Sequence, residues 1–305
     1  MSDFASDRSS GSAGVAAGFL DALERWVRAD RSPDPPALRA GLFLWVREAQ
    51  ANQPSMALVH QFSARAMSVV HAGIERGDDA RALRGHLEES CRAEREDLAS
   101  SLEAAARTAA ALVTRKGAWI ATLSHSGAVL AAILQLKKTG REPHVLLSES
   151  RPGCEGRTMA AALDSAGVPT LYVVDAALPM LLSQAHALWL GADAVTEFGV
   201  LNKIGSFAAA LAAREHGVPV HAIASRRKFL PAGTPALAIA EHPSAAVWES
   251  PPAGTRPRNF LFEIVPLGLL QGVVVEHDVV GPAEAKILAA DRELPDELAA
   301  APPRN

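Results

Sequence analysis

Residues 119–138 read WIATLSHSGAVLAAILQLKK, a short β-prone run followed by polar and small residues and then by a run with helical apolar spacing. The same succession recurs along the chain. Further β-prone runs lie at residues 144–147, 170–174, 187–190, 220–224 and 273–276, with helical material between them. Strands that alternate with helices at this spacing predict right-handed crossovers and a mostly parallel sheet that helices cover on both faces.

The chain before residue 112 has a different pattern, because apolar residues there recur at steps of three and four. Leu20, Leu23 and Val27 mark the first of four amphipathic helices, and a highly charged stretch over residues 79–112 marks the last. The sequence therefore predicts a helical domain over residues 19–112 and a Rossmann-like α/β domain over residues 113–305. Residues 1–18 are rich in Ser, Gly and Ala, and we predict that they are disordered.

The composition excludes several classes of protein. The 305 residues are 49% hydrophobic and 21% charged with a formal net charge of -4, so the chain lacks the basic excess that non-specific nucleic-acid binding needs. Cys91 and Cys154 form neither a disulfide framework nor a zinc-ligand spacing, and no apolar run reaches the length of a membrane span without a charge or a breaker. We expect a cytoplasmic protein with no metal, no organic cofactor, and no nucleic-acid or membrane partner.

Four polar clusters lie where strands of the predicted sheet end, and ligands of parallel sheets bind outside the carboxyl ends of the strands. The first cluster holds Ser124, His125, Ser126 and Gly127, the second holds Arg151 and Arg157, the third holds Asp193, and the fourth holds Asn202 and Lys203. Each cluster is a weak signal alone. Four of them at successive strand ends of one sheet predict a ligand site.

Each cluster also has a structural interpretation. The serines of the first cluster could bind phosphate together with the helix N-terminus that follows, or could only cap that helix. The two arginines offer the planar, bidentate donors that suit phosphate, or could pair on the surface with Glu149 or Glu155. Asp193 is a candidate general acid or base, or a turn cap. Asn202 can cap a helix, and Lys203 can meet an anion.

Taken in order, these clusters resemble the hallmark series of a known family. The series consists of ESRP at 149–152 with GR at 156–157, VD at 174–175, GAD at 191–193 and NKIG at 202–205, closed by FEIVP at 262–266 with Glu276. The family holds the sugar-1-phosphate isomerases, which act on methylthioribose 1-phosphate or ribose 1,5-bisphosphate, and the α, β and δ subunits of translation initiation factor 2B. The resemblance covers nearly the whole chain past residue 18 and implies a homodimer or a larger homo-oligomer.

The resemblance also implies roles for single residues. In the isomerases, a cysteine on the loop after the first strand and the aspartate of the Gly-Ala-Asp run form the catalytic pair. That aspartate corresponds to Asp193, and the cysteine position falls on Ser124, whose hydroxyl is far less acidic than a thiol. The segment 194–201 is one residue shorter than usual, with Phe198 where asparagine is common, so we expect the loop to close differently over the ligand.

Two functions follow as expectations. The first is a protein that binds a phosphorylated sugar or a nucleoside monophosphate without the usual isomerase turnover, because the regulatory subunits of factor 2B also lack the thiol. The second is an active aldose-1-phosphate to ketose-1-phosphate isomerase, in which Asp193 is the acid or base and Ser124 or His125 replaces the thiol. A role in assembly, through apolar residues near 261–275, is compatible with the first. In all cases the candidate phosphate ligands are His125, Ser126, Gly127, Arg151, Arg157, Asn202 and Lys203.

Overall fold

The computed structural model describes residues 11–231 and 239–291, together with Phe4, Thr234 and Leu298. The first part of the chain is a bundle of four helices, which are α1 (Ser12–Ala29), α2 (Pro35–Asn52), α3 (Ala57–Arg76) and α4 (Ala80–Ala111). An aromatic cluster fills its centre, where the ring centroid of Phe19 lies 5.2 Å from that of Trp45 and 6.2 Å from that of Phe62. These buried rings hold α1, α2 and α3 together.

The prediction of disorder over residues 1–18 is wrong for residues 12–18, which form the first turns of α1. Their sequence, SAGVAAG, places Val15 and Ala16 on the same face as Phe19, and all three are at most 1% exposed. A run of small residues thus serves close packing, because a helix with little side-chain bulk can lie directly on its neighbours. Residues 1–3 and 5–10 lie outside the described residues.

Side chains cap the starts of two helices in the bundle. The Asp79 carboxylate accepts a hydrogen bond from the Ala82 N–H at 2.7 Å at the start of α4. We expect Asp79→Ala to lower the free energy of unfolding by about 1 kcal/mol in urea denaturation, because one terminal N–H loses its partner. Glu103→Ala is the matched control on the same helix, since Glu103 forms an exposed ion pair with Arg107 that contributes at most about 0.5 kcal/mol. Equal losses in both variants would contradict the capping role.

The second part of the chain alternates strands with helices. The strands are β1 (Trp119–Leu123), β2 (His144–Ser148), β3 (Thr170–Val173), β4 (Ala187–Leu190), β5 (Ala194–Val195), β6 (Gly199–Lys203), β7 (Val220–Ile223), β8 (Glu241–His242), β9 (Asn259–Phe260), β10 (Phe262–Pro266), β11 (Gly272–Val274) and β12 (Val279–Val280). The helices are α5 (Gly127–Lys138), α6 (Gly156–Ser165), α7 (Leu178–Leu181), α8 (Ser206–Glu215) and α9 (Pro282–Ala290). Within the described part of the chain, no helix has the length and apolar character that a membrane crossing requires.

The main sheet has seven strands in the order β12-β11-β7-β4-β1-β2-β3. Its strands pair in parallel except for β11 and β12, which are antiparallel, so the predicted helix-covered, mostly parallel sheet is confirmed. The chain runs outward from β1 to β3 and then returns to add β4 on the other side of β1. Loops that leave β1 and β4 in opposite directions open a crevice at the carboxyl edge of the sheet. Ser124 follows β1 and Asp193 follows β4, so the topology brings two predicted clusters to this crevice.

A second, antiparallel sheet pairs β10 with β6 and β6 with β5. Asn202 and Lys203 lie on β6 and pair with β10, so the prediction that all four clusters end strands of one sheet is wrong for the fourth. The chain reverses after Asp193 because Thr196 and Gly199 exchange backbone hydrogen bonds in a tight turn between β5 and β6. The hairpin folds Asn202 and Lys203 back toward the same crevice.

Candidate functional site

A cavity of about 240 Å³ opens at the carboxyl edge of the main sheet, between the loops that follow β1 and β4. We call it the strand-end cavity. Residues 51–56 and the start of α1 supply further walls, and Leu58, Leu98, Leu102 and Phe262 give it an apolar side. Of the nine predicted site residues, seven line this cavity: Ser124, His125, Ser126, Gly127, Asp193, Asn202 and Lys203.

The loop after β1 combines a buried serine with a helix start. Ser124 is 7% exposed and has a positive φ of 62°. Ser126 is the N-cap of α5, and its hydroxyl accepts a hydrogen bond from the Val129 N–H at 3.4 Å. The N–H groups of a first helical turn have no partners within the helix, so this end of the cavity suits an anion. Capping by Ser126 and phosphate binding at the helix start are therefore compatible.

The hydroxyl of Ser126 faces the loop after β4. A Cβ atom on Gly191 would meet the Ser126 hydroxyl oxygen at 2.7 Å and Asn202 Oδ1 at 3.4 Å. Only glycine therefore leaves room at position 191 for these two polar groups. Ser126 is thus placed beside the loop that carries Asp193.

His125 lies between these serines and is half-buried. Burial lowers the pKa of His125 below its ordinary value, against an opposing effect from the carboxylate of Glu155. Its Nδ1 atom is buried and has no hydrogen-bond partner among the described residues. His125 is therefore a neutral imidazole at neutral pH.

Backbone hydrogen bonds fix the position of Asp193, and the residue lines the cavity. Its N–H donates to the carbonyl oxygen of Leu201 at 2.8 Å, and its carbonyl oxygen accepts from the Ala57 N–H at 3.1 Å. The side chain is 9% exposed, and burial raises its pKa above the ordinary value, while Lys228 and Lys203 oppose that rise. A carboxyl group with a raised pKa in a cleft is a candidate proton donor or acceptor.

Lys203 and Glu155 form a buried ion pair on another wall of the cavity. Lys203 Nζ donates to Glu155 Oε1 at 2.8 Å, and both side chains are at most 10% exposed. The second oxygen, Glu155 Oε2, is buried without a partner among the described residues. Beside this pair, the Asn202 amide donates to the Ser206 hydroxyl at 2.9 Å. From the sequence, Glu155 is expected only as a surface partner for arginine. Its position in the wall of the cavity is seen only in the structure.

Lys228 is a second buried cation in the cavity that the sequence did not single out. Its ammonium donates to the Ser12 hydroxyl and to the Ala192 carbonyl oxygen, both at 2.5 Å. Burial lowers its pKa, and the nearby Asp193 opposes that effect. One signal could have found it, because Lys228 follows the carboxyl end of β7, where a ligand site is expected.

Arg151 and Arg157 are exposed and do not line the cavity. The Asp175 carboxylate accepts the backbone N–H groups of Ser150 and Arg151, both at 2.7 Å, and so fixes this loop. The guanidinium of Arg157 forms a hydrogen bond with the side chain of Tyr172, which raises the pKa of Arg157. The structure thus separates these two arginines from the other seven predicted residues and does not support them as cavity ligands.

Neither cysteine lines the cavity. Cys91 is buried in the helical bundle, and burial raises the pKa of its thiol to about 11. Cys154 lies on the loop between the two exposed arginines. Among the residues that the structure describes, no group of three or more His, Cys, Asp or Glu side chains could hold a metal ion.

Sequence relatives include both isomerases and initiation-factor-like proteins. A 5-deoxyribose 1-phosphate isomerase from Moorella thermoacetica is 31% identical over 234 residues, covering 70% of this chain and 64% of that protein. A ribose 1,5-bisphosphate isomerase from Archaeoglobus fulgidus is 30% identical over 183 residues, 58% of each chain. A putative translation initiation factor eIF-2B subunit 2-like protein from Pyrococcus furiosus is 32% identical over 165 residues, 53% of this chain and 58% of that one. The chain thus spans about three fifths of the length of these curated relatives.

Solved structures share the fold over nearly the whole chain. The translation initiation factor eIF-2B of Pyrococcus horikoshii OT3 superposes with a TM-score of 0.79 at 25% identity, covering 92% of this chain and 94% of that one. The 5-methylthioribose 1-phosphate isomerase of the same organism shares the fold with a TM-score of 0.73 at 20% identity, covering 93% and 84%. Residues 8–280 match the Initiation factor 2 subunit family. The chain therefore belongs to this family, which includes both initiation factor 2B-like proteins and sugar-1-phosphate isomerases.

Proposed function

We propose that the strand-end cavity binds a phosphorylated sugar or a nucleoside monophosphate, and that the protein does so without the usual isomerase turnover. The observation that carries this proposal is the cavity lining. It combines Asp193, two buried lysines and a helix start, but neither of the two cysteines. Anion binding therefore has its groups in place, whereas thiol-dependent proton transfer does not.

The phosphate is placed at the start of α5. There His125, Ser126 and Gly127 line the cavity, and the N–H groups of a first helical turn have no partners within the helix. Lys203 and Lys228 supply positive charge on the adjoining walls. Ser124 and Asp193 then lie beside the sugar carbons that an isomerase would have to transform.

The charge balance of the cavity favours a single phosphate over two. Two lysines line it, but three carboxyl groups, of Glu155, Asp193 and Glu241, line it as well, and none of the described lining residues is an arginine. A bisphosphate would bring a second dianion that these groups cannot neutralise. The apolar side of the cavity suits the unphosphorylated end of a deoxy or thiomethyl sugar, or a nucleobase.

The second candidate function is an active aldose-1-phosphate to ketose-1-phosphate isomerase. The raised pKa of Asp193 favours it, because burial favours the protonated form of this carboxyl group, which can then protonate a ring oxygen. A phosphate on C1 blocks simple enolisation, so the ring has to open before hydrogen moves between C1 and C2. In this case Ser124 or His125 would replace the thiol.

One experiment separates the two candidates. The purified protein is incubated with 5-deoxyribose 1-phosphate, methylthioribose 1-phosphate or ribose 1,5-bisphosphate, and ketose formation is followed by NMR while calorimetry measures binding. We expect binding of the monophosphates, weaker binding of the bisphosphate, and no ketose. Ketose formation that Asp193→Asn abolishes would replace the first candidate with the second. Absence of binding to all three sugars and to AMP would reject both.

The quaternary structure stays a proposal as well. The resemblance implies a homodimer or a larger homo-oligomer, but between Leu261 and Val275 only Pro266, Gly268 and Gln271 are exposed. Sedimentation equilibrium tests this directly. A mass of one chain at all concentrations would contradict it.

A further inference from the structure

Lys228 joins parts of the chain that lie far apart in the sequence. Its ammonium donates one hydrogen bond to the hydroxyl of Ser12, 216 residues away, and one to the carbonyl oxygen of Ala192, 36 residues away. Ser12 is the first residue of α1, and Ala192 directly precedes Asp193. One buried side chain therefore contacts both the start of the helical bundle and the loop that carries the acid.

The turn that carries this lysine is itself anchored on two sides. The backbone N–H of Arg226 donates to both carboxylate oxygens of Glu276 at 3.1 Å, beyond the end of β11. The guanidinium of Arg227 pairs with the buried carboxylate of Glu94 and, at 2.8 Å, with Asp97, both on α4. Because sheet and bundle both fix the turn, the position of the lysine ammonium is fixed as well.

The start of α1 is a wall of the strand-end cavity. Gly11, Ser12 and Ala13 all line it. A Cβ atom on Gly11 would lie 3.1 Å from the carbonyl oxygen of His125, so the start of α1 contacts the loop after β1 directly. Helix starts fray unless something holds them, and the hydrogen bond to Ser12 supplies that hold here.

We propose that Lys228 is a positioning residue of this site, whose ammonium holds the first turn of α1 against the Ala192–Asp193 peptide so that this turn closes the ligand cavity. The role of Lys228 in ligand binding rests on the proposed function. The hydrogen bond between Lys228 and Ser12, which we call the clasp, does not. Without the ammonium, the first turn of α1 keeps only the long hydrogen bond of 3.5 Å from the Ser12 hydroxyl to the Ala192 carbonyl oxygen, and the cavity opens on that side. The same charge also stabilises the ionised form of Asp193.

The clasp is tested in the ligand-free protein by hydrogen exchange. The amides of Gly14 and Val15 donate to the Gly11 carbonyl oxygen in the first turn of α1. We expect Lys228→Met and Ser12→Ala each to speed exchange at these two amides roughly tenfold, since a hydrogen bond to a charged group contributes on the order of 1.5–3 kcal/mol. Amides of β4 should be unaffected. Lys138→Met, at an exposed lysine on α5, is the matched control. It should change exchange neither at the first turn of α1 nor in β4.

The role of Lys228 in ligand binding is tested by calorimetry, which measures the affinity for 5-deoxyribose 1-phosphate. We expect Lys228→Met to weaken binding roughly tenfold or more. The double variant with Ser12→Ala should lose less than the sum of the single losses, because both substitutions remove the same hydrogen bond between Lys228 and Ser12. The titrating and charged groups around the cavity are Asp193, His125, His242, Glu155, Glu241, Lys203 and Lys228.

The pH profile of binding separates a positioning role from a structural one. Ionised Asp193 repels a phosphate, so affinity falls as pH rises through the pKa of that carboxyl group. Lys228 opposes the rise of this pKa, so Lys228→Met should move the fall to higher pH while Ser12→Ala leaves it in place. An unchanged exchange rate at the first turn of α1 in Lys228→Met would overturn the clasp. Faster exchange there with unchanged affinity and pH profile would overturn the role in the site, and absence of binding in the unsubstituted protein would reject the proposed function alone.

Discussion

A cysteine in place of Ser126 is expected to give this protein isomerase turnover on 5-deoxyribose 1-phosphate, roughly 10²-fold or more above the unsubstituted chain. Ser126 is the N-cap of α5, and a thiolate at a helix N-terminus is stabilised by the free N–H groups and the helix dipole. Its hydroxyl lies beside Gly191, two residues before Asp193. The substitution therefore places an acidic thiol next to the carboxyl group of Asp193, whereas the family resemblance assigns the thiol position to Ser124.

Ser124→Cys is the matched comparison, because the sequence assigns the thiol position to Ser124. Both serines line the cavity, but the geometry places Ser126 at the helix start and beside the Gly-Ala-Asp loop. Ketose formation is followed by NMR in both variants. Asp193→Asn is then added to whichever variant is active and should abolish the gain. A larger gain in Ser124→Cys would return the thiol position to Ser124, and no gain in either variant with ligand binding intact would show that a missing thiol does not limit turnover.

Strand positions in the main sheet could be predicted because buried parallel strands read as continuous apolar runs. The strand predicted at 187–190 is β4 with the same bounds. The hairpin of β5 and β6 could not be predicted in this way. β5 has two residues, and β6 pairs with β10 about sixty residues later, so neither its length nor its partner leaves a local pattern. For the same reason, the sequence predicts Asn202 and Lys203 at the end of a strand of the main sheet, whereas they lie in the antiparallel sheet. Both residues still line the cavity.

Residues of the site were predictable where they directly follow a strand of the main sheet. Ser124 and Asp193 are of this kind. Lys228 sits in the run RRK, which alone is typical of a solvated turn, and its burial depends on Ser12 at the other end of the chain. Arg151 is the opposite case, because its side chain suits phosphate while Asp175 fixes the backbone of its loop outside the cavity. Side-chain chemistry names candidates, and long-range packing decides which of them reach the ligand.

The second large effect that we expect is a loss of about 3 kcal/mol of folding stability between pH 6.5 and pH 4, caused by His60 alone. His60 lies on α3 and is 2% exposed. Burial lowers its pKa to about 4, and the charge of Arg47 acts in the same direction, while the hydrogen bond to Pro54 opposes both. In the unfolded chain the imidazole has its ordinary pKa near 6.5. Between this pH and about 4, the imidazole is therefore protonated in the unfolded state but neutral in the folded state.

The hydrogen bonds of His60 explain why the folded protein excludes this proton. One ring nitrogen, Nε2, donates to the Pro54 carbonyl oxygen at 3.2 Å, and the other, Nδ1, is buried with no partner among the described residues. A proton on Nδ1 would create a buried charge with an unpaired N–H. Since Pro54 lines the strand-end cavity, the neutral imidazole also supports one wall of the ligand site.

His60→Gln removes the titration but keeps an N–H group that can donate to Pro54. Urea denaturation at half-unit intervals from pH 7.5 to pH 4 measures the free energy of unfolding of both proteins. The stability lost by the unsubstituted protein relative to His60→Gln should grow as pH falls below 6.5 and level off near pH 4, because stability rises with pH wherever the unfolded state binds more protons. Carboxylates that titrate in this range cancel in the difference, and His277→Gln, at an exposed histidine, should follow the unsubstituted protein. The difference in stability between the unsubstituted protein and His60→Gln could also be independent of pH. That result would show that His60 is protonated equally in the folded and unfolded states. It would remove both the predicted acid sensitivity and the link between the neutral imidazole and the cavity wall.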